Sequence, residues 1–134
     1  FFFTRCAGIC PKLTANLSVL QERFRKDSDI VFLSHSVTPE ADSVPVLNKY
    51  ARTAGINSRQ WHLLTGNREE IYRMARKEYF AGDTVGFYQA GDEFLHTENF
   101  LLIDRQGRIR GVYNGTLGVE MDRLAEDIQI LKEE

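Results

Sequence analysis

The sequence predicts an α/β fold, with a mainly parallel central sheet, a C-terminal antiparallel hairpin and helices on both faces. Three observations carry that prediction. Short aromatic and β-branched runs alternate with stretches whose apolar residues recur at helical spacing. Proline, glycine or asparagine stands at several of the joints between them. Late in the chain, two apolar runs flank a turn at residues 105–107, the best hairpin signal present.

Residues 1–5, FFFTR, are the first β-prone run. Three adjacent phenylalanines left in water would forfeit roughly 1.5 to 3 kcal/mol each, so a buried strand is expected here. It ends at Cys6 and Cys10, the two cysteines of the chain. From Pro11 onward, Leu13, Leu17, Leu20 and Phe24 fall at helical spacing, and proline suits a first helical position because its missing N–H costs nothing there. Residues 30–37, IVFLSHSV, read as a second buried strand. In the following loop, Asp42 or Ser43 is placed to cap a helix that runs toward Ala54 and stops at Gly55.

Residues 60–64, QWHLL, give a third strand. Thr65 or Asn67 then starts a helix carrying Ile71, Met74 and Ala75 on one face, ending near residues 80–82. Residues 83–97 mix polarity without a sustained period and are expected to be irregular. The hairpin follows, and Leu117, Met121, Leu124, Ile128 and Leu131 form the apolar stripe of a closing helix. The order β-α-β-α-β-α-β-β-α matches a thioredoxin-like core with one extra strand and helix. One domain over residues 1–134 is expected.

A charged fraction of 27%, a hydrophobic fraction of 43% and a net charge of -2 describe an ordinary globular chain. They provide no general basic field, so nucleic acid is not an expected partner. No window approaches the roughly 18 apolar residues of a membrane span.

In open α/β sheets, ligand sites lie at the carboxyl ends of strands, and that edge holds Cys6 and Cys10. A C-x-x-x-C on a loop entering a helix brings two sulfurs to one side of the first turn, where they can form a redox couple or hold one metal ion. The helix N-terminus, with Arg5 and Lys12 nearby, favours thiolate over thiol. Thioredoxin-type exchange enzymes carry two intervening residues and a cis-proline before the hairpin, and Pro11, Pro39 and Pro45 are all too early for that place. Phe3 stands three residues before Cys6, where a peroxidatic site needs a threonine, which disfavours peroxidase chemistry. The place before the hairpin holds His96. Two thiolates and one imidazole suit copper, whereas zinc would want a fourth ligand. His35 also stands at a strand's carboxyl end and is the reserve ligand, while His62 beside Trp61 reads as an ordinary strand position.

The stretches FFFTRCAGICPKLTANL, SVTPEAD and FLHTENFLLIDRQGRIRGVYNG together resemble the Sco/SenC family of thioredoxin-fold copper chaperones for cytochrome c oxidase assembly. The motif that carries the resemblance is C-x-x-x-C-P, a distant histidine and a D-x-x-G hairpin: Cys6, Cys10, Pro11, His96, Asp104 and Gly107. It implies copper, as Cu(I) or Cu(II), held by Cys6, Cys10 and His96. It also implies delivery to the binuclear copper site of oxidase subunit II, or, as the alternative, Cys6 and Cys10 acting as a redox pair that reduces the cysteines of that subunit. A membrane anchor and an earlier hairpin would precede the present residues, and the domain would face the bacterial periplasm or the mitochondrial intermembrane space. Thr38 and Leu95 stand where the family commonly has aspartates, and AGI fills the space between the cysteines.

Overall fold

The computed structural model describes residues 1–79 and 98–134. Its elements run α1 (Cys10–Arg23), β1 (Phe32–His35), α2 (Val44–Ala54), β2 (Trp61–Leu64), α3 (Arg68–Lys77), β3 (Asn99–Ile103), β4 (Ile109–Asn114) and α4 (Gly118–Glu133). β1 and β2 pair in parallel, with Phe32 opposite Trp61 and His35 opposite Leu64. β3 and β4 form the expected antiparallel hairpin, with a register irregularity between Leu102 and Ile103. The expected irregular stretch, with Leu95 and His96 in it, lies outside the described residues.

The opening phenylalanine run joins the sheet more briefly than its composition suggests. Phe2 makes one parallel bridge with Ser36, donating to the His35 carbonyl at 3.0 Å and accepting from the Val37 N–H at 2.8 Å. The chain then turns, because the N–H and hydroxyl of Thr4 go to Asp42 instead of a strand partner. Side chains alternate across that short extended piece. Phe2 joins Cys10 and Leu47 in a cluster on the face of α1 and α2, Phe1 packs against Val37, Ile71, Tyr72 and Ala75 on the face of α3, and Phe3 touches both clusters. Helices therefore cover both faces at the end of the sheet where the cysteines sit.

The main core joins Leu20 and Phe24 of α1 to Phe32, Trp61 and Tyr113 from the strands and to Met121, Leu124, Ala125 and Ile128 of α4. The Trp61 indole donates to Ser34 at 2.9 Å, so its polar edge is satisfied inside the sheet. Pro11 falls one position later than expected, since α1 already begins at Cys10. α2 starts after Ser43 and ends at Gly55, whose φ of 68° is the left-handed value that glycine adopts without strain. Asn67 caps α3 by accepting from the Glu70 N–H. That helix stops at Lys77, short of the expected end. Leu117, counted above in the stripe of the closing helix, is its N-cap and is 47% exposed.

In the hairpin turn, Gly107 takes φ 78°. Asp104 anchors that turn by accepting from the N–H groups of Gln106 and Arg108, both at 2.9 Å. A cleft of about 630 Å³ lies between β1 and β3, lined by Ile30, Phe32, Phe100 and Leu102 among others; it reaches neither cysteine. No helix among the described residues is long and apolar enough to cross a membrane.

Candidate functional site

Cys6 and Cys10 meet at the amino end of α1. The Cys6 N–H closes a turn onto the Phe3 carbonyl at 3.3 Å, and Cys10 is the first residue of the helix. Cys6 is half-buried, whereas Cys10 is 3% exposed and packed between Phe2 and Leu47. Helix geometry leaves the first N–H groups of α1 without intrahelical partners.

Those groups make the two thiols unlike. Burial pushes the Cys6 thiol up, but hydrogen bonds from the Cys10 thiol and from the backbone N–H groups of Cys10, Gly8 and Ile9 outweigh it, and its pKa lies below the usual thiol value. For Cys10, burial comes first, its hydrogen bond to Cys6 adds to it, and the thiol is pushed up to about 12. The sequence suggested that Arg5 and Lys12 help to favour thiolate at both positions. At Cys6 the lowering comes first from the Cys10 thiol and then from the backbone amides of the helix start, with no part played by Arg5 or Lys12, and Cys10 moves the other way because it is the donor and is buried.

Beside Cys6 runs a small cleft of about 340 Å³, lined by Thr4, Pro11, Thr14, Ser18, Tyr50 and Thr53 among others. The Thr14 and Tyr50 hydroxyls are 2.9 Å apart and bridge α1 to α2 there. Tyr50 also packs on Phe2, with ring centroids 5.7 Å apart. A partner segment reaching the Cys6 sulfur would meet this small surface, where hydroxyls alternate with Pro11, Ala15 and Ala54.

His96 lies outside the described residues, so the geometry speaks only for the two sulfurs. Among the described residues, no three His, Cys, Asp or Glu side chains come together to hold a metal ion, so the reserve ligand His35 does not complete such a group. It packs its ring on Phe1 at 5.4 Å. Burial lowers its pKa below the usual imidazole value. His62 is exposed on β2.

Asp42, read from the sequence as a helix cap, is instead wholly buried below the turn that carries Cys6. Ser43 holds the N-cap position, without a side-chain cap bond. The surrounding Ser36, Thr38 and Thr4 were visible in the sequence, but nothing in their spacing shows that two distant segments converge on one carboxylate.

Comparison with known proteins adds to this geometry. A family model described as SCO1/SenC matches residues 1–133. A SCO1 protein homolog of Bacillus subtilis (strain 168) is 31% identical over 131 residues, spanning 96% of this chain and 67% of its own length. A SCO1/SenC family lipoprotein from Bacillus anthracis str. Ames superposes with a TM-score of 0.81 at 28% identity, over 97% of this chain and 77% of the other. BsSco, a member of the Sco family of cytochrome c oxidase assembly proteins in which a disulfide switch was identified, gives a TM-score of 0.77 at 30% identity, over 96% of this chain and 75% of its own.

Proposed function

This chain belongs to the SCO1/SenC family and has a thioredoxin-like fold, and from that premise we propose that it is a copper metallochaperone for cytochrome c oxidase assembly. In this reading Cys6, Cys10 and His96 bind one copper ion and pass it to the binuclear copper site of oxidase subunit II. The observation that carries it is the juxtaposition of two sulfurs at the first turn of α1, one half-buried and one buried. Soft thiolates select Cu(I), and an imidazole supplies the nitrogen that Cu(II) favours. Copper is cargo, so transfer is ligand exchange without net redox change. Each thiolate of the acceptor replaces one here, and the protons released by the acceptor's cysteines balance those taken up by Cys6 and Cys10.

The place of work that fits this cargo is outside the cytoplasm and next to a membrane. The lipoprotein description of the Bacillus anthracis relative supports that setting. A tether ahead of a single domain, in a bacterial periplasm or equivalent space, belongs to the same proposal.

Anaerobic titration of the reduced protein tests the reading. One equivalent of Cu(I) should bind in competition with a chromogenic chelator, and Cu(II) should give a thiolate-to-copper absorption band. His96→Ala should lose much of the Cu(II) affinity while two thiolates retain part of the Cu(I) affinity. Absence of stoichiometric copper binding in the wild type would overturn the chaperone reading. Undiminished Cu(II) binding in the variant would remove His96 from the site.

A second reading, thiol-disulfide reductase, is favoured by the unlikeness of the two thiols. The Cys6 thiolate would attack a partner disulfide, whose second sulfur leaves as a thiolate and takes up a proton. Cys10 would then lose its proton and displace the partner's first sulfur. The products are a Cys6–Cys10 disulfide here and a dithiol there, two electrons having passed to the partner. The disulfide switch described for BsSco supports this reading as chemistry of a relative.

A further inference from the structure

Asp42 is among the wholly buried side chains of the protein, at 0% exposure, and neither reading of the thiol site uses it. Burying a carboxylate is costly unless donors surround it. Here four groups donate to its two oxygens. The Thr4 hydroxyl reaches Oδ1 at 2.5 Å. Oδ2 takes the Thr4 N–H at 3.3 Å, the Ser36 hydroxyl at 2.6 Å and the Thr38 hydroxyl at 3.0 Å. The receiving side is itself fixed, because the Asp42 N–H donates to the Thr38 carbonyl at 2.9 Å and the Thr38 N–H to the Ser36 hydroxyl at 3.1 Å. One carboxylate thus clasps the loop after β1 to the turn two residues ahead of Cys6.

That placement matters because the two sulfurs are held by different means. Cys10 is built into α1 and buried. Cys6 hangs on a turn whose entry is fixed by the Phe2 bridge and by Thr4. Helix capping does not account for Asp42, since Ser43 stands at the cap. We propose that Asp42 is a positioning residue, which acts through Thr4 to hold the Cys6 sulfur over the Cys10 thiol and the amides at the start of α1. The proposal rests on Cys6 and Cys10 being the working pair, whichever of the two chemistries they serve.

The test uses Thr4→Val, Thr4→Ser and Asp42→Asn in the full chain. Thr4→Val removes the shortest donor while Asp42 keeps Ser36 and Thr38. Thr4→Ser restores a hydroxyl. Asp42→Asn replaces one acceptor oxygen by an N–H₂ group that faces donors. Three measurements are made: the ratio of Cys6 to Cys10 alkylation in the reduced, copper-free protein, the Cu(I) affinity against a competing chelator, and the melting temperature. Losing a group that orients a metal ligand typically costs about 10- to 100-fold in metal affinity. Thr4→Val should therefore weaken Cu(I) by about tenfold or more and shrink the alkylation ratio, and Thr4→Ser should recover both. If Asp42→Asn fails to fold, Thr4→Val decides. A folded Thr4→Val protein with wild-type ratio and affinity overturns the proposal, as does a fall in melting temperature alone. A wild type that binds no Cu(I) sinks the chaperone reading, while the alkylation ratio still tests the positioning role.

Discussion

Reduced, copper-free protein should be alkylated at Cys6 long before Cys10, and the margin follows from the structure. Cys10 is pushed up to about 12, so at pH 7 about one molecule in 10⁵ carries the thiolate there. A thiol at the usual value of 9.0 is about 1% thiolate at pH 7, and Cys6 lies below that value. The thiolate populations thus differ by at least about 1,000-fold. A more basic thiolate is the better nucleophile, and a Brønsted slope of about 0.4–0.5 returns roughly 16- to 30-fold of that. A margin of about 30- to 60-fold remains, before the 3% exposure of Cys10 slows its reaction further. Iodoacetamide pulses at pH 7, with site-resolved peptide mass spectrometry, read the two rates directly. Cys6→Ala supplies the control. Its removal takes away both the hydrogen bond and the charge that raise Cys10, so Cys10 should react faster than in the wild type while burial still holds it back. Equal rates at the two cysteines of the wild type, or an unchanged Cys10 rate in the variant, would refute the reasoning.

Two further outcomes test how the scaffold holds this site. Asp104 is drawn down to about 2: burial opposes the shift, and the Arg108 N–H and guanidinium and the Gln106 N–H outweigh it. A carboxylate depressed in the folded state stabilises above its unfolded pKa of about 3.9, and that contribution fades as pH falls toward about 2. Denaturant midpoints should therefore drop more steeply between about pH 4 and 2 in the wild type than in Asp104→Asn, and parallel curves would show that the carboxylate does not hold the turn. Gly115 lies against α1, where an added Cβ would meet Leu13 Cδ2 at 2.6 Å and Phe100 Cζ at 2.8 Å, so Gly115→Ala should destabilise by about 1–3 kcal/mol through overpacking. Its combination with Leu13→Ala should cost less than the sum of the two, and strict additivity would place the clash elsewhere.

What was legible in the sequence, and what was not, divides along the range of the forces involved. The hairpin was readable because its signal is local: two apolar runs, a glycine free to take φ 78° and an aspartate within reach of the turn amides. The helices were readable from period and punctuation, with Asn67 and Gly55 where the chain needed a cap and a stop. The strand at the start was overextended, because three phenylalanines announce burial without saying how many residues pair, and Thr4 leaves the sheet for a carboxylate 38 positions away. The same distance hid Asp42, whose local context reads as a cap until the fold brings Thr4 to it. The cysteine pair was found by spacing alone, yet its asymmetry was not. C-x-x-x-C places both residues at one helix start, but which sulfur receives the amides and which is packed against Phe2 and Leu47 depends on the angle at which the turn enters α1. That angle is tertiary information, fixed by the Phe2 bridge and the clasp from Asp42 to Thr4. The chemistry open to this site is therefore set as much by a buried carboxylate remote in sequence as by the motif that announces it.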